Sequence, residues 1–390
     1  MKSILFCLPT MTLGGVERSL ISILSLFDRN EFTLSILLFY TYDEEIERQI
    51  PSGIKIFNLN LDKEYYSTAT KVLIVKRLKM MHFGEVISLG IKKVLGIGLP
   101  GANITFKDIP ELNEQFDYAV CYHAHSAIML NYTANCVSAK TKILWVHNDF
   151  STTGYRIDLL SKHVKKYDII CFVSEKLKNE FLELYPNSRD KTKTVYNIID
   201  AKDIIDKANM SMSDGNFYYS KGPKLLTIGR FVEDKGFDIA IKACAELVRE
   251  YTTLRWYAIG YGEKESDMRN LIRELRIENN FIILGKKSNP YPYLKDCDIY
   301  VQPSRHEGYC LAVAEARILC KPIICTDFAG ASEQIINGVN GVITAFDIKA
   351  IVDAVCQFVE SPHKQKLFSN TLEKQRNTVI DFKHIHDVFD

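Results

Sequence analysis

Short apolar runs alternate with amphipathic segments along most of the chain. The runs are rich in Ile, Leu, Val and aromatic residues and end in polar residues, which is typical of buried strands. Residues 14–27 instead carry their apolar side chains on one side of a helix. In the first half of the chain we predict strands at residues 3–9, 32–40, 117–123, 140–147 and 168–174.

The alternation weakens over residues 200–222, which are polar and end in Gly-Pro, and we predict a linker at 198–206. It then returns. Strands that alternate with helices predict βαβ units and parallel sheets, so we expect two doubly wound α/β domains in tandem. In the second half we predict strands at residues 224–230, 254–260, 280–285, 297–304 and 321–327, with helices at 236–251, 265–277 and 311–319.

Composition narrows the class of protein. The 390 residues suit two ordinary domains, and 47% apolar residues supply their cores. A formal net charge of +1 argues against a nucleic-acid binder with a strongly basic surface. The 10 cysteines form no C-x-x-C pair and no zinc-ligand spacing with histidine. Thiols scattered among apolar residues favour a reducing cytosol.

Two segments bear on membrane association. The apolar stretch at residues 4–8 is followed at once by Pro9, which favours a buried first strand over an export signal. No apolar run approaches the ~18 residues that span a bilayer. Residues 65–107 carry an excess of lysine and arginine over glutamate. Such a segment is either a contact with an anionic membrane surface or a solvated basic face.

In open parallel sheets, ligands bind beyond the carboxyl ends of the strands. Gly14-Gly15 follows the first predicted strand and opens a helix, so it is either a close approach for phosphate or only a turn. His147 follows a strand directly and is either a site residue or a structural one. The further candidates at such positions are His123, His125 and Asp149.

The second half offers cations at the same kind of position. Arg230 and Lys235 flank a strand-to-helix loop after Gly229, where they are either surface cations or ligands for a diphosphate. They would supply charge-assisted hydrogen bonds where negative charge accumulates on a leaving group. Gly262, after the next strand, would allow a ligand to approach the backbone closely.

Two glutamates, Glu307 and Glu315, stand eight positions apart in RHEGYCLAVAEA. If both were helical they would lie ~12 Å apart along the axis, too far to share one small metal site. We predict that the helix begins after Glu307, with its N–H groups facing outward and Glu315 one to two turns in. This arrangement suits a nucleotide sugar; the alternative is a capping glutamate and a satisfied core glutamate.

Arg230, Lys235 and the pattern Glu307-x7-Glu315 together resemble the signature of family 4 glycosyltransferases, which are retaining enzymes with the GT-B fold. The likeness is strongest over residues 225–341 and looser in the first half, through residues 14–17 and 145–147. It extends to bacterial glycosyltransferases of surface and capsular polysaccharides.

The resemblance implies a role for each matching residue. Arg230 and Lys235 would bind the donor diphosphate and stabilise it as the leaving group. Glu307 would contact the sugar hydroxyls, and Glu315 the ribose. His147 would take part in catalysis near the acceptor. The other donor contacts implied are Gly14, Gly15, Gly229, Gly262, Gly308, Tyr309, Cys310 and Leu311, with Asn197, Leu284, Gly285 and Lys286 as further candidates, the last three for base selection through their backbone.

The resemblance also implies an architecture. Two Rossmann-like doubly wound domains would face each other across a cleft: residues 1–200 on the acceptor side, 201–370 binding the nucleotide sugar, and 371–390 as a helix that returns to the first domain. The donor would be a UDP- or GDP-sugar and the acceptor a lipid-linked oligosaccharide. No cofactor or metal would be needed, since two cations and a helix dipole replace magnesium. Nucleic acid is not an expected partner.

The expected location is the cytoplasm, at most peripheral on the inner face of the membrane. A catalytically silent GT-B subunit is the alternative function. A nicotinamide-dependent oxidoreductase is disfavoured, because the first strand lacks G-x-G-x-x-G. Four positions depart from the family pattern. Cys310 stands where a small residue, often glycine, is common, and Cys320 stands where glycine is usual. Ile198, in Tyr196-Asn197-Ile198, stands where Asn-Gly is frequent, and Tyr261 stands where an acidic residue is common.

Overall fold

The structure is a computed structural model. It describes residues 1–11, 14–40, 46, 48–61, 109, 112–124, 126–148, 163–212, 217, 221–376 and 383–390. The basic segment at 65–107 and the candidates His125 and Asp149 lie outside the described residues. The chain divides into two compact units: residues 1–172, 181–195 and 385–390, and residues 173–180 and 196–384.

Seven parallel strands form the sheet of the first unit, in the order β3-β2-β1-β4-β5-β6-β7. Every one of the last five residues of β1 is buried, which explains its unbroken apolar run. The first strand is central, and the chain order reverses between β1 and β4. The strands are β1 (Lys2–Leu8), β2 (Phe32–Leu38), β3 (Lys55–Asn58), β4 (Gln115–Cys121), β5 (Ser138–Val146), β6 (Ile169–Phe172) and β7 (Thr192–Thr194).

Six parallel strands form the sheet of the second unit, in the order β10-β9-β8-β11-β12-β13. Here too the first strand is central, and the order reverses between the first and fourth strands. This is the dinucleotide-fold strand order. The strands are β8 (Lys224–Ile228), β9 (Arg255–Ile259), β10 (Phe281–Gly285), β11 (Ile299–Gln302), β12 (Ile323–Thr326) and β13 (Val342–Thr344).

Helices follow most strands, as the amphipathic segments predict. The second core is built from the inward faces of these helices against the sheet, with Trp256 and Phe358 fully buried in it. The helices described are α1 (Gly15–Leu24), α2 (Ala127–Cys136), α3 (Glu175–Leu184), α4 (Ala201–Ala208), α5 (Phe237–Leu247), α6 (Glu265–Glu274), α7 (Tyr291–Asp296), α8 (Leu311–Ile318), α9 (Ala331–Gln334), α10 (Ile348–Val359), α11 (Pro362–Gln375) and α12 (Lys383–Phe389).

The predicted linker at 198–206 is wrong, because most of it is helix α4. Asp200 caps that helix by accepting a hydrogen bond from the N–H of Asp203 at 2.9 Å. Ile204 and Ala208 are buried on one side of it, so two apolar residues are enough to anchor a polar helix. Within the predicted helix at 371–390, the structure describes the end of α11 and all of α12, while 377–382 lie outside the described residues.

Helix α12 packs onto the first unit through its last aromatic residue. Phe389 is fully buried, with ring centroids 5.3 Å from Phe27 and 5.2 Å from Tyr118. Its backbone carbonyl accepts hydrogen bonds from Lys2 Nζ and Tyr118 Oη, each at 2.7 Å. The last residues therefore complete the core of a domain that begins nearly 400 positions earlier in the chain.

We predict that Phe389→Ala destabilises the first domain by ~3–5 kcal/mol, the usual range for removing a fully buried phenylalanine. Differential scanning calorimetry checks this, with Leu367→Ala as control because Leu367 is 53% exposed. An unchanged melting temperature in Phe389→Ala would show that α12 does not contribute to the stability of the fold.

Candidate functional site

The candidate site of the second domain lies at the reversal point of its sheet. Residue Tyr300 of β11 pairs with Leu226 of β8, so the carboxyl ends of the two strands are neighbours. The connections that leave β8 and β11 lead to strands on opposite sides, and a crevice for ligands forms where such chains diverge. The predicted cations follow β8, and the predicted glutamates follow β11.

A close ion pair joins the two loops at this point. Lys235 Nζ lies 2.5 Å from Glu307 Oε1, and their side chains are only 20% and 9% exposed. The structure thus brings together two residues that are 72 positions apart and were predicted to share a site. Arg230 is exposed and forms no ion pair with any described residue, so its guanidinium is accessible to an anion.

The two loops touch through their backbones as well. Gly236 adopts a left-handed conformation, φ +64°, and a Cβ there would lie 1.8 Å from the carbonyl oxygen of Pro303. Only glycine satisfies both conditions. Arg305 adds a bidentate pair with Asp238 at 2.7 Å for each bond and stacks 4.7 Å from the ring centroid of Phe346. The loop that carries Glu307 is therefore fixed from both sides.

Helix α8 begins at Leu311, four residues after Glu307, as the spacing predicts. Its N-cap, Cys310, provides no side-chain hydrogen bond to the first turn. Among the described residues, the N–H groups of Leu311 and Ala312 have no partner, so they are available to an anion, which the helix dipole favours. Burial raises the pKa of the Cys310 thiol well above its ordinary value, so the thiol is uncharged at neutral pH and is no nucleophile.

Two residues that sequence reasoning missed hold the N-terminus of α8 in place. A Cβ on Gly330 would lie 2.7 Å from Cα of Tyr309, so the glycine lets the loop before α9 rest on the helix N-terminus. Gln334 is buried, and its Nε2 donates a hydrogen bond to the carbonyl oxygen of Tyr309. Sequence reasoning missed both residues because neither the close approach at Gly330 nor the burial of Gln334 is visible in the sequence.

Cys310 itself is strained, with φ +70° at a position where the family pattern has a small residue, often glycine. Cys320, the other such departure, has φ +54°. The reason for the usual glycine is thus conformational in both places, since a left-handed residue with a side chain costs ~1–2 kcal/mol.

We expect Cys310→Gly to change the free energy of unfolding by less than ~1 kcal/mol. Relief of the backbone strain at residue 310 offsets two losses, the burial of the thiol and the greater conformational freedom of the unfolded chain with glycine. Cys310→Val should destabilise by more than ~2 kcal/mol, since a β-branched residue tolerates positive φ poorly. Urea unfolding of the two variants checks this. Equal stability of the two would contradict the conformation assigned to residue 310.

Glu315 lies in the second turn of α8 and is only 4% exposed. The hydroxyl of Tyr291, on helix α7, donates a hydrogen bond to Glu315 Oε1 at 3.0 Å. The prediction that the two glutamates stand apart, one in the loop and one in the helix, is therefore correct in its geometry. Tyr291 was not predicted, because nothing in its sequence surroundings distinguishes it from a core aromatic residue.

The candidates for base selection lie at the carboxyl end of β10, next to β9. Gly285 has φ +74°, and no atom of the described residues lies within 4 Å of a Cβ placed there. Lys286 Nζ lies 5.6 Å from the ring centroid of Tyr261, one of the departures from the family pattern. Gly262 has a different explanation from the one predicted: its Cβ would lie 2.4 Å from the carbonyl oxygen of Phe231, so the protein's own backbone requires this glycine.

In the first domain, the predicted residues gather at the carboxyl edge of the sheet. His147 is 7% exposed and lies 4.5 Å, between ring centroids, from Tyr122, whose hydroxyl is 2.9 Å from Ser19 Oγ. A Cβ on Gly14 would lie 2.3 Å from Oε2 of Glu17, the end of a flexible side chain. Glu17 is itself buried and was not among the predicted site residues.

The remaining candidates are spread between the two units. Gly15 starts helix α1, and His123 follows β4 in the first domain, whereas Asn197 is a buried residue of the second unit. Gly229 directly follows β8, Gly308 and Tyr309 are buried before α8, and Leu284 is the penultimate residue of β10. Among the described residues, no group of three or more His, Cys, Asp and Glu side chains could hold a metal ion, and no helix is long and apolar enough to cross a membrane.

Comparison with known proteins agrees with this geometry. Residues 212–375 match the family model described as glycosyl transferases group 1. The relative "Uncharacterized glycosyltransferase MJ1059" from Methanocaldococcus jannaschii is 24% identical over 292 residues, which cover 63% of this chain and 70% of that protein. These findings confirm the resemblance stated above and the prediction of an enzyme of the transferase class.

A second relative has a more specific name. It is the "N-acetylgalactosamine-N,N'-diacetylbacillosaminyl-diphospho-undecaprenol 4-alpha-N-acetylgalactosaminyltransferase" of Campylobacter jejuni, 26% identical over 193 residues, half of each chain. The crystal structure of Anabaena Alr3699/HepE with UDP-glucose superposes with a TM-score of 0.73 at 16% identity, covering 100% of this chain and 98% of that one. This similarity confirms the predicted fold of two Rossmann-like domains.

Proposed function

We propose that this chain, a glycosyltransferase whose residues 212–375 belong to group 1, transfers a sugar from a UDP-sugar to an acceptor hydroxyl with retention at the anomeric carbon. The observation that carries the proposal is the meeting of Lys235, Glu307 and the N-terminus of α8 at the reversal point of the second sheet. One cation, one carboxylate and a set of free N–H groups suit a sugar joined to a diphosphate.

Each group has a distinct task in this proposal. Arg230, Lys235 and the first turn of α8 receive the negative charge that develops on the diphosphate as its bond to the sugar breaks. Glu307 accepts hydrogen bonds from the sugar hydroxyls, and Glu315 accepts them from the ribose. A UDP-sugar is favoured over a GDP-sugar because Alr3699/HepE, which shares the fold, binds UDP-glucose.

The acceptor we propose is a lipid-linked oligosaccharide at the cytoplasmic face of a membrane, used in assembly of a surface polysaccharide such as a capsule. The name of the Campylobacter jejuni relative, which includes a diphospho-undecaprenol acceptor, supports this class. Acceptor recognition falls to the first domain, whose carboxyl edge carries His147 and the buried Glu17. Contact between residues 65–107 and anionic lipid is part of the same proposal.

A donor panel tests the reaction class. Purified protein is incubated with UDP-glucose, UDP-N-acetylglucosamine, UDP-N-acetylgalactosamine, UDP-galactose and GDP-mannose, each with and without an undecaprenyl-diphosphate disaccharide in vesicles of phosphatidylglycerol. Release of UDP that depends on the acceptor, with an axial configuration retained in the product by NMR, is the expected result. An inverted product would exclude the retaining reaction.

The alternative, a catalytically silent subunit, makes the opposite prediction in the same panel. It would bind UDP but release none from any donor. The intact set of Arg230, Lys235, Glu307 and Glu315 favours the enzyme, because a silent subunit has no reason to keep two cations and two carboxylates at a diphosphate site.

Metal independence is a separate prediction. Since two cationic side chains and a helix N-terminus face the diphosphate, we expect 5 mM EDTA to leave the transfer rate within roughly twofold of its value with magnesium. Initial rates after dialysis against EDTA, with and without added Mg²⁺ or Mn²⁺, measure this. Loss of activity that is restored only by one metal would overturn the prediction.

A further inference from the structure

Three polar side chains lie in a buried row behind the Glu307 carboxylate. Tyr300 and Gln302 belong to strand β11, where alternate residues point to the same side of the sheet, and Ser304 follows two positions later. Their exposed fractions are 0%, 1% and 1%. A polar residue with so little solvent contact must find its hydrogen-bond partners within the protein.

The row is connected by hydrogen bonds from end to end. The Tyr300 hydroxyl donates to Gln302 Oε1. Gln302 Nε2 donates to Ser304 Oγ at 2.8 Å, and Ser304 Oγ donates to Glu307 Oε1 at 2.9 Å. Lys235 Nζ donates to that same carboxylate oxygen at 2.5 Å.

The direction of these bonds follows from the number of hydrogens available. An amide presents a carbonyl at one end and N–H groups at the other, and a tyrosine hydroxyl has one hydrogen to donate. Because the Tyr300 hydrogen goes to Oε1, the N–H groups of Gln302 face Ser304. Ser304 then accepts from Gln302, so its own single hydrogen is left for Glu307, which as a carboxylate can only accept.

The backbone of this segment is held independently. Thr326 Oγ1, on the neighbouring strand β12, donates to the carbonyl oxygen of Ser304. Arg305, the next residue, is fixed by its pair with Asp238. The Ser304 hydroxyl therefore rotates on an anchored residue, and the hydrogen bond from Gln302 selects its direction.

We propose that Tyr300, Gln302 and Ser304 are positioning residues for the donor sugar. Ser304, oriented by Gln302 and Tyr300, occupies Oε1 of Glu307 together with Lys235. This turns the carboxylate so that Oε2, with no donor among the described residues, accepts a hydrogen bond from a sugar hydroxyl. This inference rests on the proposed function and deepens it: the row governs recognition of the sugar, whereas the cations and the helix N-terminus bind the UDP portion.

The experiment compares the affinities of UDP and of an intact UDP-sugar by isothermal titration calorimetry. UDP-glucose is the first probe, replaced by the best substrate of the donor panel if another sugar is preferred. We expect Ser304→Ala to weaken binding of the UDP-sugar ~10-fold, the usual effect of losing a hydrogen bond to a charged group, while UDP affinity stays within ~twofold. Ser304→Thr retains the hydroxyl and should restore most of the affinity.

Two further variants separate positioning from general stability. Tyr300→Phe removes the group that sets the amide orientation, so a smaller loss than that of Ser304→Ala is expected, again for the UDP-sugar only. Ser361→Ala is the matched control, because Ser361 caps helix α11 by accepting from the N–H of Lys364. It should lower the melting temperature and leave both affinities unchanged.

Failure of the inference and failure of the proposed function give different results. If the unaltered protein binds neither UDP nor any UDP-sugar, the proposed function fails and this inference fails with it. If the unaltered protein binds both, and Ser304→Ala weakens both equally or neither, only the positioning role is overturned. Recovery by Ser304→Thr with a selective loss in Ser304→Ala establishes it.

Discussion

Replacing Lys235 with alanine is expected to lower the rate of sugar transfer by about 100-fold, the usual cost of removing one preorganised group that stabilises developing negative charge. The structure adds a reason for a large effect. Lys235 neutralises Glu307, whose side chain is only 9% exposed, at 2.5 Å. Without the lysine, the carboxylate would remain unpaired beside the diphosphate and repel it.

This reasoning predicts an asymmetry between the two partners. Lys235→Ala should weaken UDP binding, whereas Glu307→Ala should leave UDP affinity unchanged or stronger and lower the transfer rate. The double variant should bind UDP more tightly than Lys235→Ala alone, because the repelling charge has gone. A double-mutant cycle on UDP affinity measures the coupling between the two residues.

Lys366→Ala is the control for loss of a positive charge, since Lys366 is exposed on helix α11. It should change neither UDP affinity nor rate. Independent, additive effects of Lys235→Ala and Glu307→Ala on UDP binding would contradict the coupling that the ion pair implies. Equal rates in Lys235→Ala and the unaltered protein would remove Lys235 from the site.

Sequence predicts the strands and helices of this fold wherever each of their faces is consistently buried or consistently exposed. β1 is apolar because both faces of a central parallel strand are covered, and helix α5 shows one apolar face because the other meets solvent. Helix α4 escaped prediction because its polar, charge-rich composition is typical of a linker, although its buried Ile204 and Ala208 share one side of the helix. Its packing against the rest of the second unit supplies what its composition lacks.

The candidate site likewise contains residues that the sequence predicts and residues that it does not. Lys235 and Glu307 were predicted to share a site because each follows a predicted strand and matches the family pattern, and the structure adds that they form a direct ion pair. The roles of Gly14 and Gly262 were not readable, since glycine before a helix indicates only that something comes close. In both cases the close atom belongs to the protein, a Glu17 oxygen and a Phe231 carbonyl. The buried row behind Glu307 was also missed, because only the burial and the hydrogen bonds of Gln302 and Ser304 indicate their role, and the sequence shows neither.

Replacing Glu315 is expected to separate nucleotide affinity from stability. A buried carboxylate that binds ribose hydroxyls contributes hydrogen bonds to a charged group, worth ~1.5–3 kcal/mol, so Glu315→Leu should weaken UDP binding by roughly 10- to 100-fold. The fold should not suffer in proportion, since a buried charge replaced by an apolar side chain of similar size often leaves stability unchanged or higher. Tyr291→Phe, which removes the hydroxyl 3.0 Å from Glu315, should give a smaller loss of the same kind.

The ligand provides the decisive control for this prediction. The ribose of UDP has two free hydroxyls, and 2′-deoxy-UDP and 3′-deoxy-UDP each lack one of them. If Glu315 binds a ribose hydroxyl, the unaltered protein will bind at least one deoxy analogue more weakly than UDP, and Glu315→Leu will no longer distinguish that analogue from UDP. If Glu315→Leu weakens UDP and both analogues by the same factor, the carboxylate acts through the packing of α8 instead. Because the comparison is made within one variant, any change in folding affects all three ligands alike, and only a direct contact with the ribose can remove the difference between them.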